Sequence, residues 1–150
     1  MAILGGDTAT ATQITDELGT SLGDTQNTDG TTTSTTYTAT LTGGTACGFS
    51  FIAPPSGKVR IYNNAELNNS GGVSLCTIRV RTGGTVGSGT DVVAASDNNC
   101  FFHNTNIRLG ISVLITGLTA GSTYNVQQLF RVTAGTGTFG KKHLSHKPTP

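Results

Sequence analysis

The sequence predicts an all-β protein: a single β-sandwich, immunoglobulin-like or jelly-roll-like, with an extended N-terminal arm. Three observations carry this. The 150 residues include 28 Thr and 21 Gly; β-branched Thr favours strands and Gly punctuates turns. Apolar residues recur with period two, most cleanly at Ile107, Leu109, Ile111, Val113 and Ile115. Turn signals separate these runs at short intervals, with no helical period among them, the pattern of a sandwich. A chain of this length suits one domain.

The chain divides into an arm over residues 1–34, a sandwich over residues 35–145 and a tail over residues 146–150. Residues 1–12 read as extended or irregular. Residues 12–19, Thr-Gln-Ile-Thr-Asp-Glu-Leu-Gly, read as one or two helical turns or as coil. Ile14 and Leu18 are spaced i, i+4, Thr12 is a candidate N-cap and Gly19 a candidate stop, yet so short a helix is marginal in water. Residues 23–34 carry no apolar side chain and read as a polar linker, disordered on its own. Ile3, Leu4, Ile14, Leu18 and Leu22 are the arm's apolar anchors. With Asp16 and Glu17 they are its expected partner contacts.

In the body, Tyr37, Ala39 and Leu41 alternate as a first strand. Cys47, Phe49 and Phe51, then Val59 and Ile61, alternate on either side of Pro54-Pro55-Ser56-Gly57 and read as a central hairpin. Its prolines lack N–H donors and set φ, and Gly57 supplies a positive φ. Residues 68–72 turn the chain. Between Val73 and Arg81 the apolar parity shifts from Val73 and Leu75 to Cys76, Ile78 and Val80, which requires a bulge or a strand covered on both faces. Residues 82–90 read as a long flexible loop, residues 91–96 as a weaker strand and residues 97–99 as a turn. Residues 107–115 read as a central strand. Tyr124, Val126, Phe130 and Val132 share the next strand, with Gln128 the polar exception on its apolar face. A last strand covers residues 138–144, beyond which the tail frays. The expected core is Phe49, Phe51, Val59, Ile61, Ile111, Val113, Tyr124 and Val126. Leu118-Thr-Ala-Gly-Ser-Thr-Tyr124 resembles the tyrosine corner of immunoglobulin-like sandwiches, where a Tyr hydroxyl ties a strand start to the preceding turn.

Charge and chemistry narrow the function classes. Residues 1–50 hold Asp7, Asp16, Glu17, Asp24 and Asp29 and no Lys or Arg, a net of −5; residues 51–150 hold nine Lys or Arg against Glu66, Asp91 and Asp97, a net of +6. The acidic arm suits a basic partner or its own body. Lys58, Arg60, Arg79 and Arg81 lie at strand spacing and read as a face for an acidic partner or as a solvated outer face. The basic excess is too thin and scattered for a nucleic-acid site. The acids of the body stand singly beside turns, which makes no catalytic pair. His103, His143 and His146 read as surface residues, and no Ser or Cys sits in a nucleophile-elbow pattern. The Gly-rich run at residues 83–89 lacks the ending of a phosphate loop. Cys47, Cys76 and Cys100 are odd in number and widely spaced, and read as buried free thiols of a reducing cytoplasm rather than as disulfides or zinc ligands. The N-terminal residues do not read as a signal peptide, and no stretch is apolar enough to span a membrane. The expectation is therefore no catalytic residue, no cofactor and no metal.

Three stretches, Gly44-Thr-Ala-Cys-Gly-Phe-Ser-Phe-Ile-Ala-Pro-Pro-Ser-Gly-Lys-Val59, Val80-Arg-Thr-Gly-Gly-Thr-Val-Gly-Ser-Gly-Thr90 and Gly117-Leu-Thr-Ala-Gly-Ser-Thr-Tyr-Asn-Val126, together resemble a small β-domain of structural proteins in tailed phages of Actinobacteria. The resemblance covers roughly residues 40–140 and excludes the arm. It implies a non-enzymatic virion protein that is assembled in the host cytoplasm and sits on the capsid surface. There it would be a decoration or cement protein with the major capsid protein as partner, or, as the alternative, a minor tail or fibre-tip protein with a cell-surface or glycan-binding role. Low charge, Thr-rich strand faces and the habit of virion surface proteins add the expectation of a homotrimer.

Overall fold

Strands with one apolar face bury it by pairing into sheets and stacking two of them. The computed structural model describes residues 22–150, and in them ten strands do this. They are β1 (Gly23–Gln26), β2 (Gly30–Thr32), β3 (Gly48–Ile52), β4 (Val59–Asn69), β5 (Ser74–Thr82), β6 (Asp91–Val93), β7 (Phe101–His103), β8 (Ile107–Ile115), β9 (Thr123–Val132) and β10 (Gly137–Pro148). One sheet runs β1-β10-β4-β8, with β2 also on β10. The other runs β3-β9-β5-β6, with β7 also on β5. All pairings are antiparallel. The protein is an all-β sandwich. The possible helix over residues 12–19 lies outside the described residues.

Two apolar clusters fill the space between the sheets. The first joins Phe51, Val59, Ile61, Ile78, Val80, Tyr124 and Val126, with Phe49 and Val113 packed against it. The second centres on Leu67, Cys76, Phe130 and Phe139, with Leu109 and Ile111 at its margin. Phe130 and Phe139 meet at 4.7 Å between ring centroids, within the range of favourable aromatic pairs. The tyrosine corner forms as expected: the Thr119 N–H donates to the Tyr124 hydroxyl at 3.0 Å.

Several elements differ from the sequence-based expectation, each for a backbone reason. The expected linker at residues 23–34 contains β1 and β2, both paired with β10. Strand addition needs backbone donors and acceptors more than apolar side chains, so a polar segment can supply it. Gly30 allows the close approach: a Cβ there would lie 2.6 Å from Leu41 Cβ and 2.7 Å from Gly44 Cα. The expected central hairpin is instead a corner between sheets, because β3 and β4 belong to different sheets. Gly57 has φ +63° as expected, and its N–H closes the turn on the Pro54 carbonyl at 2.9 Å. The alternation at Tyr37, Ala39 and Leu41 yields only isolated bridges at Thr38 and Thr42, with Leu41 buried.

The strand β8 lies at the edge of its sheet rather than at its centre. Its period-two pattern reports one buried face, which an edge strand has as much as a central one. The parity change in β5 reflects cover on both faces: Ser74 through Ile78 are all buried. The tail does not fray. The strand β10 stays paired with β4 through Pro148 opposite Val59, and the Thr149 N–H donates to the Lys58 carbonyl.

Candidate functional site

Sequence patterning grouped Lys58, Arg60, Arg79 and Arg81 on one face; the fold separates them. Lys58 and Arg60 lie beside and on β4, while Arg79 and Arg81 lie on β5 of the other sheet. Arg60 donates to the Ser112 hydroxyl on β8 at 3.3 Å. Arg81 holds Asp91 at 2.6 Å and also bonds the Gly87 carbonyl, so it staples the loop over residues 82–90 to the sheet. Leu22 begins the described chain beside β10. Ile3, Leu4, Ile14, Asp16, Glu17 and Leu18 lie outside the described residues.

The acids of the body are engaged by cations. Glu66 takes Lys141 at 2.6 Å. Asp97 accepts from Arg131 at 2.5 Å and from the Tyr37 hydroxyl at 2.7 Å. The Arg131 guanidinium and that hydroxyl hold the Asp97 carboxyl below the usual carboxylate range. Burial and the hydrogen bond to Asp97 push the Tyr37 phenol upward, so it stays a donor. The set clamps the irregular segment around Tyr37 onto the sheet, with Arg131 lying 5.3 Å from the centre of the Tyr37 ring.

Burial pushes the Cys47 thiol up to about 12 and raises Cys76 further in the same direction. Both stay protonated near neutrality, which leaves neither as nucleophile nor ready ligand. All three cysteines are free thiols; Cys100 is half-buried rather than buried. Among the described residues no group of three or more His, Cys, Asp or Glu could hold a metal ion. A shallow hollow of about 140 Å³ includes Asp29, Glu66 and Asn106 in its lining, but Glu66 is already bound to Lys141.

A polar centre lies between the sheets. Gln128 is fully buried and its Nε2 donates to Asn63 Oδ1 at 2.6 Å and to the Asn64 carbonyl at 2.9 Å. The Lys142 side chain is buried beside it on β10 and donates to the Thr28 carbonyl at 2.6 Å; burial lowers its pKa. Gln128 carried a signal, a lone polar residue in an apolar row. Lys142 carried none, because the bulge between Gly140 and His143 shifts parity there.

His146 corrects the expectation of a solvated histidine. It is 2% exposed, and its ring lies 5.0 Å from Phe51 and 5.6 Å from Phe49. Its Nδ1 accepts from the Leu22 N–H at 3.1 Å, and its own backbone N–H donates to the Leu22 carbonyl at 2.9 Å. The point where residues 1–21 join the sandwich is therefore fixed from both sides.

No protein-family model and no curated protein matches this chain. Among solved structures, the enzymatically active domain of tailspike protein 4 of bacteriophage CBA120 is similar at a TM-score of 0.35 and 11% identity, over 84% of this chain and 19% of that one. This chain thus spans about a fifth of that chain's length, and a likeness so weak carries no argument about function. The functional reading rests on the surface itself. Arg81 and Arg131, paired with Asp91 and Asp97, hold loops in place. Among the described residues, what remains for contact is the outer strand faces and the edge of β8.

Proposed function

We propose that this chain is a virion structural protein of a tailed phage, a capsid decoration protein whose sandwich sits on the outer capsid surface and whose N-terminal residues bind the major capsid protein. The observation that carries the reading is the fixed root at Leu22. Residues 1–21 hold Asp7, Asp16 and Glu17 and no Lys or Arg, a net of −3. They leave a body whose residues 22–150 hold nine Lys or Arg against Asp24, Asp29, Glu66, Asp91 and Asp97, a net of +4. An acidic tether rooted on a rigid body reaches roughly 70 Å when extended, far enough to cross from one capsid subunit to its neighbour. Ile3, Leu4, Ile14 and Leu18 supply its apolar anchors. The resemblance in the three loop stretches supports the virion setting. Those stretches form the inter-sheet corner, the Arg81-stapled loop and the tyrosine corner, so they carry fold.

Co-sedimentation with capsids that lack the protein tests the reading. The full chain is expected to bind and to reach hundreds of copies per virion. Removing residues 1–21, or combining Ile14→Asp with Leu18→Asp, is expected to abolish most binding and leave the sandwich folded. A handful of copies per virion would move the protein to the tail. Full-strength binding by the shortened chain would move the attachment site to the sandwich.

A further inference from the structure

We propose that β8 is a joining edge, at which two copies of this chain pair strand to strand about a two-fold axis and continue one sheet across both. The inference is independent of where in a virion the protein sits.

A sheet edge presents unpaired N–H and C=O groups, and natural proteins protect such edges by shortness, bulges, prolines or charges. The other edges of this sandwich are protected. The strands β1 and β2 are short and separated by residues 27–29. The strand β3 has five residues, and Asp24 caps the start of its edge, its carboxylate accepting the Gly48 N–H at 2.9 Å and its carbonyl accepting the Cys47 thiol. The strands β6 and β7 have three residues each.

In contrast, β8 runs nine residues in unbroken register with β4, from Ile107 opposite Leu67 to Ile115 opposite Val59. It contains no proline and one charge, Arg108. Among the described residues no strand pairs its other side. About half of its backbone groups point away from β4, because outward and inward residues alternate in an antiparallel edge.

Side chains at this edge are also incompletely covered. Leu109, Ile111 and Val113 face the core yet remain only half-buried, while Ile107 is 38% and Leu114 44% exposed. A second copy would extend that apolar row.

The strand's own sequence favours a second copy as occupant. The register using all nine residues has its axis at Ile111 and places Ile107 opposite Ile115 and Leu109 opposite Val113, so apolar faces match apolar. On the outer face Gly110 meets Ser112, two small residues, and Arg108 meets Leu114. No like charges stand opposite each other. The joint is isologous and closes at two copies, which replaces the expected trimer with a pair. Its length is roughly 30 Å. Such a strip is small against the roughly 1,200–2,000 Å² of a stable interface, so the pair forms at high local concentration, as on a crowded particle surface.

Sedimentation velocity on the full chain at low salt, from micromolar to sub-millimolar concentration, tests this. The native chain is expected to shift reversibly from monomer to dimer. Leu114→Lys sets a Lys opposite Arg108 at two symmetric places and should weaken the dimer roughly tenfold. Leu114→Glu sets a carboxylate opposite the same Arg108 and should strengthen it. Residue 114 is exposed but stands opposite Arg60 on β4, so circular dichroism and thermal melting must show both variants folded like the native chain before their dimerisation is compared. Three results would overturn the proposal: a monomer throughout the range, a trimer, or equal dimerisation by the two variants. Dimerisation lost on removing residues 1–21 but unchanged in Leu114→Lys would overturn it as well and assign the contact to the N-terminal segment.

Discussion

Gln128, Lys142 and His146 are three of the buried polar side chains of the interior, beside Asn63, Ser74, Thr77 and Asn125. Gln128 and Lys142 donate to carbonyls and His146 bonds the Leu22 backbone, which offsets part of the desolvation penalty of burial. Gln128→Leu keeps the volume but leaves Asn63 Oδ1 and the Asn64 carbonyl without this donor. It is expected to cost about 1–3 kcal/mol in denaturant unfolding. His146 adds a pH dependence. Burial lowers its pKa below 6.5, so the unfolded chain binds more protons at mildly acidic pH. Stability is then full above about pH 6.5 and falls as pH drops through the window between 6.5 and the lowered value. Phe49 and Phe51 pack against the ring, and the Leu22 backbone bonds its Nδ1. Melting temperatures at neutral and mildly acidic pH should differ by more in the native chain than in His146→Gln, whose side chain does not titrate. An equal drop in both would remove His146 as the cause.

At the scale of elements, position in the sheet decides what a residue is worth. Ile61 on β4 is fully buried between β10 and β8, while Ile111 on the edge strand β8 is half-buried. Ile61→Ala is expected to cost about 2–5 kcal/mol through a cavity that neighbours cannot close. Ile111→Ala should cost clearly less, because solvent already reaches the site. Equilibrium unfolding of the two variants side by side checks the ranking, and equal losses would contradict the edge assignment. The loop over residues 82–90 shows how one element disciplines another. The Asn125 side chain on β9 donates to the Gly83 and Ser88 carbonyls at 2.9 and 3.1 Å and accepts the Gly87 N–H at 3.1 Å. A Gly-rich stretch that reads as flexible is thereby pinned from a strand more than thirty residues away.

For the whole molecule, β1 and β2 pair with β10, so they belong to the sandwich although they precede residue 35. Removing residues 1–21 should leave thermal unfolding almost unchanged. Removing residues 1–34 strips β1 and β2 from β10, uncovers the Lys142 amine that Thr28 caps and exposes a long edge. That shorter chain is expected to be less stable and prone to association. Equal melting temperatures for the two deletions would return the boundary to residue 35.

The sequence by itself determined the all-β class, the corner at Pro54 to Gly57, the tyrosine corner and most of the core, including Phe51, Val59, Ile61, Tyr124 and Val126. Those features are local: period two, proline and glycine geometry, and a turn motif are all written within a few neighbouring residues. Only the tertiary structure decided that β8 is an edge, that residues 23–26 and 30–32 are strands, that His146 is buried and that the four expected cationic residues stand on two sheets. Each of these depends on which strand lies beside which. That choice is made by backbone hydrogen bonds and by packing between residues far apart in the chain, and neither leaves a mark in local composition.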